Sequence, residues 1–200
     1  MSYSLVFDIG KVILDFDFQR AIDRVSPQCT KQPDFDSLRV EIDTLETGDF
    51  SIKEFLQVVS AKLGYSGEQQ FLLDSFQDIF TLNQPMVEVI KAESKAGSPL
   101  YLLSNTSAVH VPYIIDRYSV FKYFDQPIYS FEVGLMKPDS QIYKVTTDTL
   151  GIAPKKTIYI DDRPENIEAG IEHGYHSIQY DLEDHDRFLE QFAAAKLKIG

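Results

Sequence analysis

Apolar segments of strand type alternate with helical patterns along most of the chain, and this alternation constrains the fold more than any other feature. The predicted strands span residues 3–8, 99–104, 127–131, 157–161 and 175–180. The predicted helices between and after the later strands span residues 108–117, 140–150, 164–173 and 184–196. Strands that alternate with helices form a parallel sheet joined by right-handed crossovers. We therefore predict an α/β fold with a Rossmann-like parallel sheet.

The segment from residue 16 to residue 95 breaks this rhythm, because it reads as successive helices with no convincing strand. Its clearest helix begins at a capping box, Ser51 with Glu54, and stops before Gly64. Further helices are predicted around residues 18–25, 35–45, 68–80 and 86–95. The expected organisation is a Rossmann-like core of residues 1–15 and 96–200 with a helical-bundle cap of residues 16–95 inserted into it.

Composition narrows the classes of partner. The formal net charge of -12 argues against a nucleic-acid or anionic-membrane surface, since both are bound by clustered Lys and Arg. The lone Cys29 excludes an intramolecular disulfide and favours a reducing compartment. No targeting signal or membrane span is recognisable, so we expect a cytoplasmic protein.

Four short polar motifs each end or follow a predicted strand. They are Asp8, the pair Ser104-Asn105, Lys137, and the pair Asp161-Asp162. The carboxyl ends of parallel strands converge on one crevice, where ligands bind in open α/β sheets. A nucleophile, a hydroxyl, an ammonium group and an acidic pair are therefore expected to meet in space.

The four motifs, in this order, resemble those of the haloacid dehalogenase superfamily of phosphohydrolases. The helical insertion lies where that superfamily places its type-1 cap. Three segments resemble the branch that holds bacterial α-glucose-1-phosphate phosphatases and the N-terminal phosphatase domain of soluble epoxide hydrolase: Phe7-Asp8-Ile9-Gly10-Lys11-Val12, Asp15-Phe16-Asp17-Phe18-Gln19-Arg20 and Gly48-Asp49-Phe50-Ser51.

The resemblance implies a role for each motif. Asp8 is the expected nucleophile, which attacks phosphorus and forms an aspartyl-phosphate. Mg²⁺ is expected on the carboxylates of Asp8 and Asp162 and on the backbone carbonyl of Gly10, with Asp161 as a hydrogen-bonding neighbour. Ser104, Asn105 and Lys137 are expected to bind the phosphoryl group, and Ser104 and Lys137 are counted with Asp8 as catalytic.

Gly10 departs from the pattern of many phosphatases in this superfamily, which carry there an aspartate that protonates the leaving alcohol. The similar branch also has glycine at this place. The proton donor is thus unassigned from sequence, and Lys11 is a poor acid at neutral pH.

We predict a Mg²⁺-dependent phosphatase that acts on a small phosphorylated metabolite, with sugar phosphates among the candidates. A 2-haloacid dehalogenase, a non-catalytic phospholigand-binding protein and, more distantly, a phosphonate-cleaving enzyme that uses Lys53 are the alternatives. Oligomeric state is left open. Packing between cap and core is predicted for the aromatic residues Phe16, Phe18, Phe35 and Phe50, with the lining of a substrate pocket as the alternative. Arg20, His110 and Arg163 are given no role.

Overall fold

A computed structural model describes residues 3–32, 34 and 36–199. In chain order its strands are β1 (Ser4–Phe7), β2 (Leu14–Phe16), β3 (Phe80–Leu82), β4 (Leu100–Ser104), β5 (Gln126–Tyr129), β6 (Thr157–Asp161) and β7 (His176–Gln179). Five of them form one sheet in the order β5-β4-β1-β6-β7, and every pair in it is parallel. The predicted α/β fold with a parallel sheet is confirmed.

Helices of the chain follow the predicted pattern closely. They are α1 (Phe18–Val25), α2 (Arg39–Glu46), α3 (Ile52–Leu63), α4 (Gln69–Gln77), α5 (Gln84–Lys95), α6 (His110–Arg117), α7 (Ser130–Val133), α8 (Ser140–Leu150), α9 (Pro164–His173) and α10 (His185–Ile199). Four short 3₁₀ turns lie at Ser26–Gln28, Asp36–Leu38, Ser119–Tyr123 and Pro154–Lys156. Among the described residues, no helix combines the length and apolar character needed to cross a membrane.

Strand β1 lies at the centre of the sheet, so one of its edges pairs with β4 and the other with β6. Leu5 and Phe7 belong to the apolar cluster on one face, whereas Val6 belongs to the cluster on the other. This alternation is the period of two expected of a strand. The central position of β1 fixes the residue that follows it, Asp8, at the carboxyl edge of the sheet.

The helices α1 to α4 enclose an apolar cluster of their own, to which Phe55, Val59 and Leu72 contribute fully or almost fully buried side chains. Helix α3 begins at the predicted capping box: Ser51 accepts a hydrogen bond from the Glu54 amide, and the Glu54 carboxylate accepts one from the Ser51 amide. It ends at Gly64 in a left-handed conformation with φ of 60°. The predicted helix at residues 35–45 is found from Arg39, and Phe35 lies outside the described residues.

The prediction that residues 16–95 hold no strand is wrong. Strands β2 and β3 pair antiparallel, with Leu14 opposite Leu82 and Phe16 opposite Phe80. The helix predicted at 68–80 accordingly ends at Gln77. Each strand has three residues, too few for an alternating pattern to stand out in the sequence. The ribbon joins the helical insertion to the sheet at both of its ends.

Helix α5 packs on the sheet, because Met86, Val87 and Ile90 belong to the same apolar cluster as Leu5 and Phe7 of β1. We propose that the cap comprises residues 17–79, with the β2–β3 ribbon as its stem. The predicted boundary at residue 95 assigned α5 to the cap because its helical periodicity is the same whether it covers a sheet or a bundle.

Candidate active site

A cavity of about 300 Å³ opens where the carboxyl edge of the sheet faces the cap. Its core side is lined by Asp8, Gly10, Ser104, Lys137 and Asp162. Each of these residues follows or ends a strand, apart from Lys137, which lies in the loop between α7 and α8. The structure thus brings together the four motifs that are separated by up to 154 residues in the chain (8 to 162).

Lys137 lies beneath the floor of the cavity with 3% of its surface exposed. Its ammonium group is 3.0 Å from Oδ1 of Asp8 and 2.6 Å from Oδ2 of Asp161, and it donates to the Leu103 carbonyl at 2.9 Å. Burial alone lowers the pKa of Lys137, but Asp161 and Asp8 together raise it above its ordinary value. The ammonium group is therefore charged and fixed beside the carboxylate of Asp8.

Asn105 holds the Lys137 backbone in place. Its side-chain amide donates to the Lys137 carbonyl at 2.9 Å, and its side-chain carbonyl accepts from the Lys137 amide at 2.8 Å. The following helix starts at His110, two residues later than predicted, so Asn105 does not cap it. The Asn105 side chain is thus committed to the loop that carries Lys137.

Asp161 is fully buried, and its carboxylate accepts hydrogen bonds on both oxygens. Its Oδ1 accepts from the Arg163 amide at 3.0 Å and from the Asn166 side chain at 2.9 Å, while Oδ2 accepts from Lys137 and from the Tyr159 hydroxyl. Burial raises the pKa of Asp161, but Lys137 and the other donors outweigh it and hold that pKa below its ordinary value. Both carboxylate oxygens are occupied by protein donors.

Asp162 is different, because its carboxylate receives no hydrogen bond from another described residue. One carboxylate oxygen from each of Asp8, Asp161 and Asp162 lies within 4.8 Å of the other two. The Gly10 carbonyl likewise accepts no hydrogen bond from a described residue. Oxygen donors of this kind suit a hard divalent cation such as Mg²⁺.

Charge at the site is out of balance, since three carboxylates face one ammonium group. Burial raises the pKa of Asp8 to about 6, with Lys137 opposing the shift and Asp161 adding to it. Burial and the nearby charges of Asp8 and Asp161 raise the pKa of Asp162 to about 7. The residues therefore fit a cation: it would relieve the repulsion that now disfavours the ionised form of both side chains.

These shifts predict how stability depends on pH. Asp8 and Asp162 have ordinary pKa values near 4 in the unfolded chain, so the stability they contribute is fully present below about pH 4. It is lost as pH rises through the folded values of about 6 and about 7. Without divalent cation, the melting temperature of the wild type should fall between about pH 5 and pH 8, relative to that of Asp162→Asn, by on the order of 5 °C.

Thermal melts of both proteins in chelator measure this difference, and groups common to the two cancel. Mg²⁺ should restore the wild type at pH 8 because it binds the ionised carboxylates. If the difference in melting temperature did not change with pH, or changed in the opposite direction, Asp162 would not carry the unbalanced charge.

The cap contributes residues that the sequence reading missed. Arg39, Asp43 and Glu46 of α2 line the cavity opposite the sheet. Arg39 donates to Asp43 at 3.1 Å, whereas the side chain of Glu46 makes no hydrogen bond or ion pair with a described residue. Burial raises the pKa of Glu46 to about 7, helped by Asp43 and Asp8. Positions 39, 43 and 46 share one helix face, which is the signal that the sequence held.

Among the residues left without a role, His110 and Arg163 line the cavity. His110 is buried, and burial lowers its pKa to about 4, so the ring is neutral. Phe16 and Phe18 also line the cavity and contact each other edge to face, with ring centroids 5.4 Å apart. Phe50 packs against the apolar cluster that helices α1 to α4 enclose.

Comparison with known proteins places this geometry in a family. The model of the haloacid dehalogenase-like hydrolases matches residues 5–174. The D-ribitol-5-phosphate phosphatase of Bacteroides thetaiotaomicron is 24% identical, over 90% of this chain and 92% of its own. A phosphorylated carbohydrates phosphatase from Thermotoga maritima is 27% identical over 62% of this chain, and the bifunctional epoxide hydrolase 2 of Rattus norvegicus is 29% identical over 47%. The matched part spans 58% of the Thermotoga protein and 18% of the rat protein.

Solved structures show the same fold. A haloacid dehalogenase family enzyme from Bacteroides thetaiotaomicron superposes with a TM-score of 0.85 at 21% identity, over 94% of this chain and 98% of its own. The wild-type form of that enzyme in complex with magnesium and inorganic phosphate superposes with a TM-score of 0.79 at 22% identity, over 91% and 96%. Because the family model covers residues 5–174 and includes all four motifs, this chain belongs to the haloacid dehalogenase-like hydrolase family, as its motifs predicted.

Proposed function

We propose that this protein is a Mg²⁺-dependent phosphatase that hydrolyses small phosphorylated metabolites of the sugar or polyol phosphate type. The observation that carries the proposal is the grouping at the carboxyl edge of the sheet. Asp8 lies 3.0 Å from the buried Lys137 ammonium and beside the unpartnered Asp162 carboxylate. The proposed substrate class is supported by the similarity of this chain to a D-ribitol-5-phosphate phosphatase and to a phosphorylated carbohydrates phosphatase.

Asp8 is the proposed nucleophile. Lys137 keeps its carboxylate at the cavity floor, where only 7% of the residue is exposed. Burial raises the pKa of Asp8, and Lys137 and Ser104 oppose that rise. The carboxylate oxygen attacks phosphorus and the bond to the leaving oxygen breaks, which gives an aspartyl-phosphate that water then hydrolyses. Two easier steps thus replace one difficult step.

The phosphoryl oxygens carry the charge that develops during transfer. Lys137 offers a fixed positive charge to them, and the Ser104 hydroxyl lies on the same wall of the cavity. We assign Asn105 to substrate binding through its backbone amide, because its side chain holds the Lys137 loop. Asp161 positions Lys137 through Oδ2, while its Oδ1 accepts hydrogen bonds from Arg163 and Asn166.

Asp8, Asp162 and the carbonyl of Gly10 are the groups proposed to hold Mg²⁺. When bound, the cation supplies positive charge that allows an anionic carboxylate to approach an anionic phosphate. The excess of carboxylates over ammonium groups at this edge supports the assignment.

The same cluster favours a phosphatase over a 2-haloacid dehalogenase. Halide displacement needs no divalent cation, so it does not account for the unpaired Asp162 carboxylate or for the raised pKa of Asp8. In phosphate transfer, Asp162 would hold the cation, whose charge would favour the ionised form of Asp8.

A panel of phosphorylated metabolites, assayed with Mg²⁺ and with chelator, tests the proposal. Phosphate release from sugar or polyol phosphates is expected with Mg²⁺, with a loss of at least about 10²-fold in chelator. Release of halide from 2-haloacids, unaffected by chelator and without phosphate release from any ester, would contradict it.

Calorimetry distinguishes the two members of the acidic pair. Asp162→Asn should weaken Mg²⁺ binding by at least about tenfold, because it removes a carboxylate that would hold the cation. Asp161→Asn should have a smaller effect on binding but should lower the melting temperature, because it weakens the hydrogen bonds to Lys137 and Tyr159. The reverse order of the two affinities would show that Asp161 is the ligand.

A further inference from the structure

Hydrolysis of an alkyl phosphate needs a proton for the leaving oxygen, and the family's usual donor position is occupied here by Gly10. Sugar and polyol phosphates are alkyl esters with poor leaving groups. If the proposed function is correct, another group on the cavity wall must supply that proton.

Most of the candidate donors that line the cavity are engaged elsewhere. Lys137 is held in the buried ion-pair cluster at the floor. Nε2 of His110 lies 3.0 Å from the Phe76 carbonyl, which can only accept, so the ring proton is committed there. Asp43 accepts from the Arg39 guanidinium at 3.1 Å.

Glu46 is different in that it lines the cavity and its carboxyl group has no hydrogen-bond or ion-pair partner among the described residues. It ends α2, and the chain there is docked against the core. Gly48, two residues on, has φ of 81°, and a Cβ on it would lie 2.2 Å from the Phe131 carbonyl oxygen. This contact fixes the end of α2 beside α7.

We propose that Glu46 is the general acid and base of this enzyme and takes the role that Gly10 cannot fill. This inference rests on the proposed phosphatase function. In the first step, Asp8 attacks phosphorus, the bond from phosphorus to the leaving oxygen breaks, and the Glu46 carboxylic proton passes to that oxygen. In the second step, the Glu46 carboxylate takes a proton from water as the water oxygen attacks phosphorus, which releases phosphate and the Asp8 carboxylate.

The electrostatic surroundings of Glu46 suit this exchange. Charged and titratable groups face the same cavity from each element around it: Arg39 and Asp43 on its own helix, Asp8 after β1, His110 on α6, Lys137 before α8, and Asp162 and Arg163 after β6. Burial, with Asp43 and Asp8, raises the pKa of Glu46 to about 7, against the opposing effect of Arg39 and Lys137. An acid with a pKa near the working pH can both give and take the proton.

The test compares Glu46→Gln with Glu41→Gln, a matched control on the same helix whose carboxylate pairs with Lys62 at 2.8 Å instead of lining the cavity. Two substrates are assayed with Mg²⁺: the best alkyl phosphate of the metabolite panel and 4-nitrophenyl phosphate, whose leaving group needs little protonation. Glu46→Gln should slow the alkyl phosphate by about 10²-fold or more and the aryl phosphate by less than about fivefold. Glu41→Gln should leave the ratio of the two rates unchanged.

The pH profile provides a readout that a structural role would not produce. For the wild type, kcat/KM on the alkyl phosphate should fall as pH rises above about 7, and this limb should be absent in Glu46→Gln. If Glu46→Gln lost the same factor on both substrates, or kept the wild-type rate on the alkyl phosphate, the role of Glu46 would be overturned. The phosphatase function would still stand if the wild type hydrolysed the aryl phosphate. An inactive wild type overturns both.

A second variant restores the acid at another place. Gly10 does not adopt a left-handed φ, so the backbone angle does not exclude aspartate; the nearest atom to an added Cβ would be in the Phe16 ring, at 2.9 Å, and that ring must shift to accommodate it. Gly10→Asp combined with Glu46→Gln should recover at least about tenfold of the lost alkyl rate. A folded double variant, checked by thermal melting, with no recovery would contradict the view that the missing function is proton transfer.

Discussion

Asp8→Asn is expected to lower phosphatase turnover by at least about 10⁴-fold while the fold is kept. The amide has the size of the carboxylate but cannot attack phosphorus. Its neighbour Lys137 retains the ion pair with Asp161 at 2.6 Å, so the loop that carries it should remain in place. Steady-state hydrolysis of 4-nitrophenyl phosphate with Mg²⁺ gives the rate, and circular dichroism with thermal melting checks the fold.

The matched control is Asp116→Asn, on an exposed position of α6 that does not line the cavity. It should behave as the wild type in both assays. Turnover by Asp8→Asn within a few-fold of the wild type would rule out Asp8 as the nucleophile.

Lys137→Met is expected to have the largest effect on stability. It removes the ammonium that compensates two buried carboxylates, at 3.0 Å from Asp8 and 2.6 Å from Asp161. Breaking a buried ion pair by removing one partner costs about 3–5 kcal/mol, because the charge left behind has no compensation. Activity should fall as well, since the positive charge near the phosphoryl oxygens is lost.

Denaturant unfolding at pH 7 measures the loss, and Lys144→Met is the control. Lys144 pairs with Asp148 on the surface of α8, where most of its side chain is exposed. Its replacement should change the free energy of unfolding by less than about 1 kcal/mol. If the two variants lost equal stability, the buried cluster would not be the compensating centre of the site.

The core of the fold could be predicted because its pattern is local. Thr157–Asp161, Ser140–Leu150 and Pro164–His173 have the bounds expected from apolar runs and from glycine and proline at helix ends. The β2–β3 ribbon could not be predicted, since its pairing joins Leu14 to Leu82 across 68 residues of sequence (14 to 82). Such pairing depends on tertiary contacts that a window of neighbouring residues does not contain.

The core side of the candidate site was accessible for the same reason, because Asp8, Ser104 and Asp161 each end or directly follow a strand of one sheet. The cap side was not. Arg39, Asp43 and Glu46 form the polar face of an amphipathic helix, and such a face is usually solvated. The sequence alone does not show that this face lies across a cavity from the sheet.

Chemical trapping of the covalent intermediate tests the central claim most directly. The enzyme, mixed with substrate and Mg²⁺, is quenched in acid during turnover and reduced with borohydride, which converts an aspartyl-phosphate to homoserine. Peptide mass spectrometry then locates the modified residue. The proposed mechanism predicts homoserine at position 8 in the wild type and none in Asp8→Asn. Turnover with no modification at Asp8, or with the phosphoryl group found on Ser104, would contradict it.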